Sequence, residues 1–250
     1  MASKKSFGIE KLTPVLIIVS IVLAFAVGVL WQKVQSLESG AVKSATSKTV
    51  EQDPQEAVAA AQKQAPALGK ISDDQAEKLA EVTTDDHIRG NPDAPLTIIE
   101  YSDFNCPYCG KFHETAKQVL DEYEDDVRWV YRHFSYRMQK EADSKALASE
   151  CAADLGGNDA FWEFADVIFE GETDLEAAAS EVGVNASAFN DCLESGEFSD
   201  EVEQDYQSGI EAGVTGTPGN FIVNESGETW FVPGAYPFEQ IQSYIQEALQ

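Results

Sequence analysis

Two cysteines near the middle of the chain have a spacing that can support chemistry. Cys106 and Cys109 stand three positions apart, with Pro107 and Tyr108 between them. Two thiols at this spacing can supply half of a zinc site, or they can open and close as a dithiol–disulfide pair. The ligands and elements elsewhere in the chain distinguish between these two chemistries.

The other possible metal ligands do not complete a zinc site. A structural zinc ion needs four ligands, which usually come as two close pairs. The remaining cysteines, Cys151 and Cys192, are far apart in the sequence, and its histidines are His87, His113 and His133. Because no second close pair accompanies the first, we expect no metal at this site and interpret the pair as redox-active.

The elements around the pair predict which thiol reacts. A β-branched run at 96–102 is typical of a strand, and residues 110–123 have helical spacing. The pair would therefore lie at a helix N-terminus, where free N–H groups and the helix dipole stabilise a thiolate. We expect Cys106 to be the exposed nucleophile and Cys109, one turn further in, to close the disulfide. Pro107 suits a first helical turn.

The order of the remaining elements predicts an α/β fold. A second strand covers 127–134, a hairpin follows near the end of the chain, and an amphipathic helix closes it. The segment between the second strand and the hairpin has helical spacing throughout. We therefore predict an α/β sandwich with an inserted helical subdomain. Its parts are a first sheet segment at 85–138, the helical insertion at 139–212 and a second sheet segment at 213–250.

The N-terminal third has a different composition. Residues 12–32 contain no charged side chain, and a helix of that length matches the bilayer core. We expect a cytoplasmic tail at 1–11, an uncleaved transmembrane anchor at 12–32 and a polar stalk at 33–84. The catalytic part would then lie outside the cytoplasm.

The charge is strongly negative and unevenly distributed. The formal net charge is −27, and no lysine or arginine follows Lys145. A surface of this kind repels phosphates, so we expect no nucleic-acid partner.

Two segments resemble a known family. They are GNPDAPLTIIEYSDFNCPYC and, much later, GVTGTPGNFIVN. Together they are similar to the DsbA-like branch of the thioredoxin superfamily, over residues 85–250. The resemblance implies a thioredoxin fold and extracytoplasmic thiol–disulfide exchange without a bound cofactor. It also implies that Pro218, after Thr217, is a cis proline beside the disulfide, where the Thr217 backbone pairs with an extended client chain.

The resemblance also implies a role for Glu100 in proton transfer, but it leaves the direction of electron flow open. Glu100, six positions before Cys106, would help to move a proton to or from the buried thiol, and strand alternation is consistent with an inward position. Tyr108 stands where the best-known members of this branch have histidine, so the direction of electron flow stays open. We interpret His113 as an ordinary histidine on the helix surface.

Cys151 and Cys192 form a second cysteine pair, which lies within the predicted helical insertion. The even number of cysteines and an oxidising location favour a structural disulfide between Cys151 and Cys192.

We predict an anchored oxidoreductase that oxidises dithiols of exported proteins and is itself reoxidised by a quinone-linked membrane partner. The alternatives are a reductase or isomerase of the same fold and a thioredoxin-like module that binds polypeptides without catalysis.

Overall fold

The computed structural model describes residues 66–135 and 140–250. The predicted tail at 1–11, the anchor at 12–32 and most of the predicted stalk lie outside these residues. Within the described ranges, no helix combines the length and the apolar character needed to cross a membrane.

A six-stranded sheet forms the centre of the described fold. Its strands are β1 (Gly69–Lys70), β2 (His87–Gly90), β3 (Leu96–Ser102), β4 (Val127–His133), β5 (Gly219–Asn224) and β6 (Thr229–Pro233). The spatial order is β1-β6-β5-β3-β4-β2. Strands β3 and β4 are parallel, and the other neighbouring pairs are antiparallel. Every residue of β3 is buried, which explains why its sequence is nearly continuous in β-branched and apolar residues.

Seven helices accompany the sheet in the described residues. They are α1 (Asp73–Ala76), α2 (Pro107–Glu122), α3 (Lys140–Glu170), α4 (Leu175–Glu181), α5 (Ala186–Ser195), α6 (Ser199–Ala212) and α7 (Phe238–Ala248). Helices α3 to α6 all lie between β4 and β5 in the chain, which confirms the predicted α/β fold with a helical insertion. Helix α3 is interrupted at Gly157, whose φ of 82° is not helical.

Two apolar clusters cover the two faces of the sheet. The alternation in β3 sends Leu96 and Ile98 into one cluster and Ile99 and Tyr101 into the other. Helix α6 can lie close to the second face because Gly209 has no side chain. A Cβ at this position would stand 2.5 Å from the Phe134 ring. The Tyr101 ring of β3 would lie 2.9 Å from the same Cβ, so a larger residue at this position would push the last helix of the insertion away from the sheet.

The insertion contains a disulfide. Cys151 of α3 and Cys192 of α5 are bonded, with their Cα atoms 5.9 Å apart. The two cysteines therefore connect the first and third helices of the insertion.

The predicted stalk extends too far toward the C-terminus. Strand β1 pairs with β6, and Ile71 is only 8% exposed within the second apolar cluster. Strand β2, for which the sequence predicts no element, pairs with β4. Both strands lie at edges of the sheet and are only two and four residues long, so neither carries a periodic pattern that could reveal it.

Candidate active site

The turn between β3 and α2 directs Cys106 out of the sheet. Asp103 organises this turn, because its carboxylate accepts a hydrogen bond from the Asn105 N–H at 2.8 Å and its carbonyl accepts one from the Cys106 N–H at 2.9 Å. Cys106 is the N-cap of α2 with extended backbone angles, and Pro107 is the first helical residue. Proline is well suited to this position because a first-turn N–H has no partner within the helix.

Cys106 has the properties of a reactive thiol. Both cysteines are free thiols, and Cys106 is partly exposed while Cys109 is buried. The hydrogen bond from Cys109 is the main reason that the pKa of Cys106 is lowered to about 5. Hydrogen bonds from the Thr217 side chain and from the backbone N–H groups of Tyr108 and Cys109 lower it further. A thiol with this pKa is almost entirely thiolate at neutral pH, which is the nucleophilic form.

The loop that faces Cys106 is held rigidly. The Thr217–Pro218 peptide bond is cis, and the Cys106 Sγ lies 3.4 Å from the Thr217 carbonyl oxygen. The Pro218 carbonyl accepts a hydrogen bond from the Gly234 N–H at 2.7 Å. Asn220, two residues further on, donates its side-chain amide to the carbonyl oxygens of Val232 and Gly234. The backbone of Thr217 therefore has a fixed position beside the partly exposed thiol.

Cys109 lies behind Cys106 and is protected from solvent. It is fully buried, and burial raises its pKa far above the ordinary range of a thiol. The Asp103 N–H donates to its Sγ at 3.5 Å. The pair is thus asymmetric, since one thiol is accessible and acidic and the other is inaccessible and protonated.

Glu100 is a buried carboxyl group close to this pair. Its exposed fraction is 1%, and burial raises its pKa to about 8. The Ser102 hydroxyl donates to one carboxyl oxygen at 2.6 Å, and the Trp129 indole N–H donates to the other at 3.1 Å. When it is ionised, Glu100 also raises the pKa of Cys109 further. At neutral pH the group therefore holds a proton close to the buried thiol.

The two residues that hold Glu100, Ser102 and Trp129, are not among the predicted site residues. Ser102 lies two positions after Glu100 on the same strand, so the alternation of β3 could have revealed it. Trp129 could not be found in this way. It lies on β4, and its contact with Glu100 depends on the β3–β4 register, in which Ile98 faces Trp129 and Glu100 faces Tyr131.

Tyr108 and a small cleft form the outer surface of the site. Tyr108 is 59% exposed, and the Lys111 ammonium group lies 5.4 Å from its ring centroid. The cleft beside Cys106 is lined by Phe104 of the turn and by Ile168 and Phe169 of the helical insertion, among others. The insertion therefore contributes directly to the surface around the reactive thiol.

The interpretation of His113 as a surface residue is wrong. The imidazole is only 1% exposed, it is hydrogen-bonded through Nε2 to Asp166, and burial lowers its pKa. Its ring centroid lies 5.0 Å from that of Trp129. Cys109, Phe112, His113 and Ala116 share the buried face of α2, and a helical position four residues after a buried cysteine could have indicated this. His113 therefore lends no positive charge to the thiols at neutral pH.

The fold and the site together define a thioredoxin-like dithiol protein. The family model described as Thioredoxin matches residues 82–247, and the chain belongs to this family. Among solved structures, DsbA2 of Pseudomonas aeruginosa superposes with a TM-score of 0.58 at 25% identity, covering 67% of this chain and 96% of that one. Oxidised BdbD of Bacillus subtilis gives a TM-score of 0.60 at 20% identity, covering 74% and 98%.

The curated relatives are named as ion antiporters rather than as thioredoxin-like proteins. An Na(+)/H(+) antiporter NhaA 3 of Salinispora tropica is 32% identical over 169 residues, which are 65% of this chain and 24% of the antiporter. The chain thus spans about a quarter of the length of that relative.

Proposed function

We propose that this protein oxidises dithiols of exported proteins through the Cys106–Cys109 pair. The observation that carries the proposal is the asymmetry of the pair, with an accessible Cys106 of low pKa backed by a buried Cys109. The fixed Thr217 backbone offers a hydrogen-bonding edge to an extended client chain. A module that only binds polypeptides has no need for an acidic thiol.

The reaction proceeds in two exchange steps. A client thiolate attacks the Cys106 sulfur and forms a mixed disulfide with Cys106. The Cys106–Cys109 bond breaks, and Cys109 leaves as a thiolate. The protonated Glu100 carboxyl is the nearby proton source for this thiolate. A second client thiolate then attacks the client sulfur and releases Cys106. The client loses two electrons and the protein gains them.

The low pKa of Cys106 favours oxidation of clients over reduction. At pH 7 a thiol of pKa about 5 stabilises the reduced protein by at most about 2.7 kcal/mol relative to a protonated thiol. Because Cys106 is partly exposed, solvent screening reduces this stabilisation of the reduced protein to about half, or about 1.4 kcal/mol. For a two-electron couple, this free energy raises the reduction potential by about 30 mV. We expect a reduction potential more positive than about −240 mV, compared with about −270 mV for thioredoxin.

The proposed location is outside the cytoplasm, with the anchor at 12–32 and a quinone-linked membrane oxidase as the partner that restores the disulfide. The disulfide between Cys151 and Cys192 supports this location, because such bonds persist mainly in oxidising compartments.

The experiment is a refolding assay on a reduced client protein with the oxidised full chain. We expect Cys106→Ser to abolish disulfide formation in the client. The matched control is the Cys151→Ala/Cys192→Ala double variant, which leaves Cys106 and Cys109 as the remaining cysteines and should stay active at 25 °C. Full activity of Cys106→Ser would refute the proposal, and a potential at or below about −270 mV would favour the reductase alternative.

A further inference from the structure

A second group of reactive side chains lies away from the cysteines, where three elements meet at one edge of the sheet. His87 begins β2, Glu150 belongs to α3 and Glu201 belongs to α6. One nitrogen or oxygen atom from each of them lies within 4.8 Å of the others. We propose that His87, Glu150 and Glu201 bind a divalent transition-metal cation.

The closest pair of these side chains has the separation of two ligands on one ion. The His87 Nε2 lies 3.0 and 2.9 Å from the two carboxylate oxygens of Glu150. Two ligand atoms at about 2.1 Å from a metal and at right angles to each other are about 3.0 Å apart. The observed separation therefore fits one edge of a coordination polyhedron without a large movement of either side chain.

Neighbouring residues hold these two side chains in place. The His87 ring stacks on Phe161 with centroids 3.6 Å apart. The His133 Nε2 lies 2.6 Å from Glu150 Oε1 on a side chain that is 4% exposed. A second partner of this kind commonly orients the ligands of protein-bound metals.

Two histidines, His87 and His133, face the Glu150 carboxylate, but neither is paired with Glu201. Glu201 and Asp205 lie one turn apart on α6, and both repel the carboxylate of Glu150. The nearby cation Arg132 is engaged with Asp86 at 2.7 Å. Among the residues that the structure describes, none forms a hydrogen bond or an ion pair with the Glu201 side chain. A divalent cation between Glu150 and Glu201 would offset their mutual repulsion and give the Glu201 carboxylate a partner.

The group is open to solvent on one side. A cavity of about 510 Å³ is lined by His87, Glu150, Glu201, Gln204 and Asp205, among others. An ion can enter through this cavity, and water molecules can complete its coordination.

The ligand set favours a first-row transition metal. Carboxylates alone would suit Mg²⁺ or Ca²⁺, but an imidazole ligand is more typical of Zn²⁺ and its neighbours in the periodic table. Mn²⁺ is the appropriate probe, because it accepts both ligand types and its free form is measured directly by electron paramagnetic resonance. Zn²⁺ should bind more tightly than Mn²⁺ at the same nitrogen and oxygen ligands.

The experiment titrates Mn²⁺ into the oxidised full chain at 0.15 M salt. Oxidation removes Cys106 and Cys109 as competing thiol ligands, so the result does not depend on the proposed redox function. The test variants are Glu201→Gln and His87→Gln. The matched control is Glu211→Gln, which removes an exposed carboxylate from the same helix. Circular dichroism confirms that each variant is folded.

We expect one Mn²⁺ per wild-type chain, displaced by Zn²⁺ at a lower concentration than by Ca²⁺. Glu201→Gln should weaken Mn²⁺ binding at least tenfold, whereas Glu211→Gln should change it less than twofold. Equal Mn²⁺ binding in the wild type and both test variants would overturn the proposal, as would the absence of a saturable site. Displacement by Ca²⁺ at or below the effective Zn²⁺ concentration would overturn the assignment of a transition metal.

Discussion

Glu100 should make the stability of the oxidised protein depend on pH. Burial raises the pKa of this carboxyl group to about 8 in the folded state, compared with about 4.3 in an unfolded chain. The variant Glu100→Gln keeps an uncharged side chain of the same size but cannot ionise. A comparison of the two proteins therefore isolates the ionisation of Glu100.

The sign of the effect follows from proton binding. Between pH 4.3 and pH 8 the folded protein keeps a proton that the unfolded chain releases. The free energy of unfolding therefore falls as the pH rises. The slope is about 1.4 kcal/mol per pH unit, which gives a loss of about 2.7 kcal/mol between pH 5 and pH 7. The destabilising effect is absent well below pH 4 and complete above pH 8.

The assay is urea unfolding of the oxidised full chain at pH 5, 6 and 7. The oxidised form is required because the low pKa of Cys106 in the reduced form gives a slope of the opposite sign. We expect the difference in unfolding free energy, wild type minus Glu100→Gln, to fall by about 2.7 kcal/mol from pH 5 to pH 7. The control is Glu122→Gln, at an exposed position on α2.

Two parallel stability curves would refute this reasoning. If the difference between wild type and Glu100→Gln changes by less than about 0.5 kcal/mol over this range, Glu100 does not hold its proton in the folded state. Its assignment as the proton donor for Cys109 would then fail as well.

The remaining predictions concern the disulfide and a buried ion pair. Replacing both Cys151 and Cys192 with alanine should lower the free energy of unfolding by about 3–4 kcal/mol, because the bond closes a loop of 41 residues. A loss below about 1 kcal/mol in urea unfolding would contradict this. Arg132→Met should cost about 3–5 kcal/mol, because it leaves the Asp86 carboxylate, 7% exposed, without its partner. Lys70→Ala, at an ion pair in which both side chains are about half exposed, should cost less than about 1 kcal/mol, and equal losses for the two variants would count against the argument.

The central elements of the fold could be predicted because their patterns are long. The apolar run at 96–102 coincides with β3, and the spacing after Cys106 predicts α2. The edge strands β1 and β2 could not be predicted, because they are short and are stabilised by pairing with β6 and β4 rather than by their own composition.

The cysteine site could be located from the sequence because its residues belong to two short motifs. The surroundings of Glu100 could not be predicted as completely, since Trp129 reaches it from a neighbouring strand whose register no local pattern encodes. His87, Glu150 and Glu201 were not recognised as a group for the same reason. They are up to 114 positions apart in the sequence, and only the packing of α3 and α6 against the sheet brings them together.

The most direct test of the proposed chemistry is the pH dependence of alkylation in the reduced full chain. A thiol-specific reagent is applied between pH 3 and pH 9, and the modified positions are identified by peptide mapping. We predict a single fast-reacting thiol at Cys106 with an apparent pKa of about 5, and negligible modification of Cys109 in the folded protein. Equal reactivity of both cysteines, or an apparent pKa near the ordinary value of about 8.5, would contradict the account.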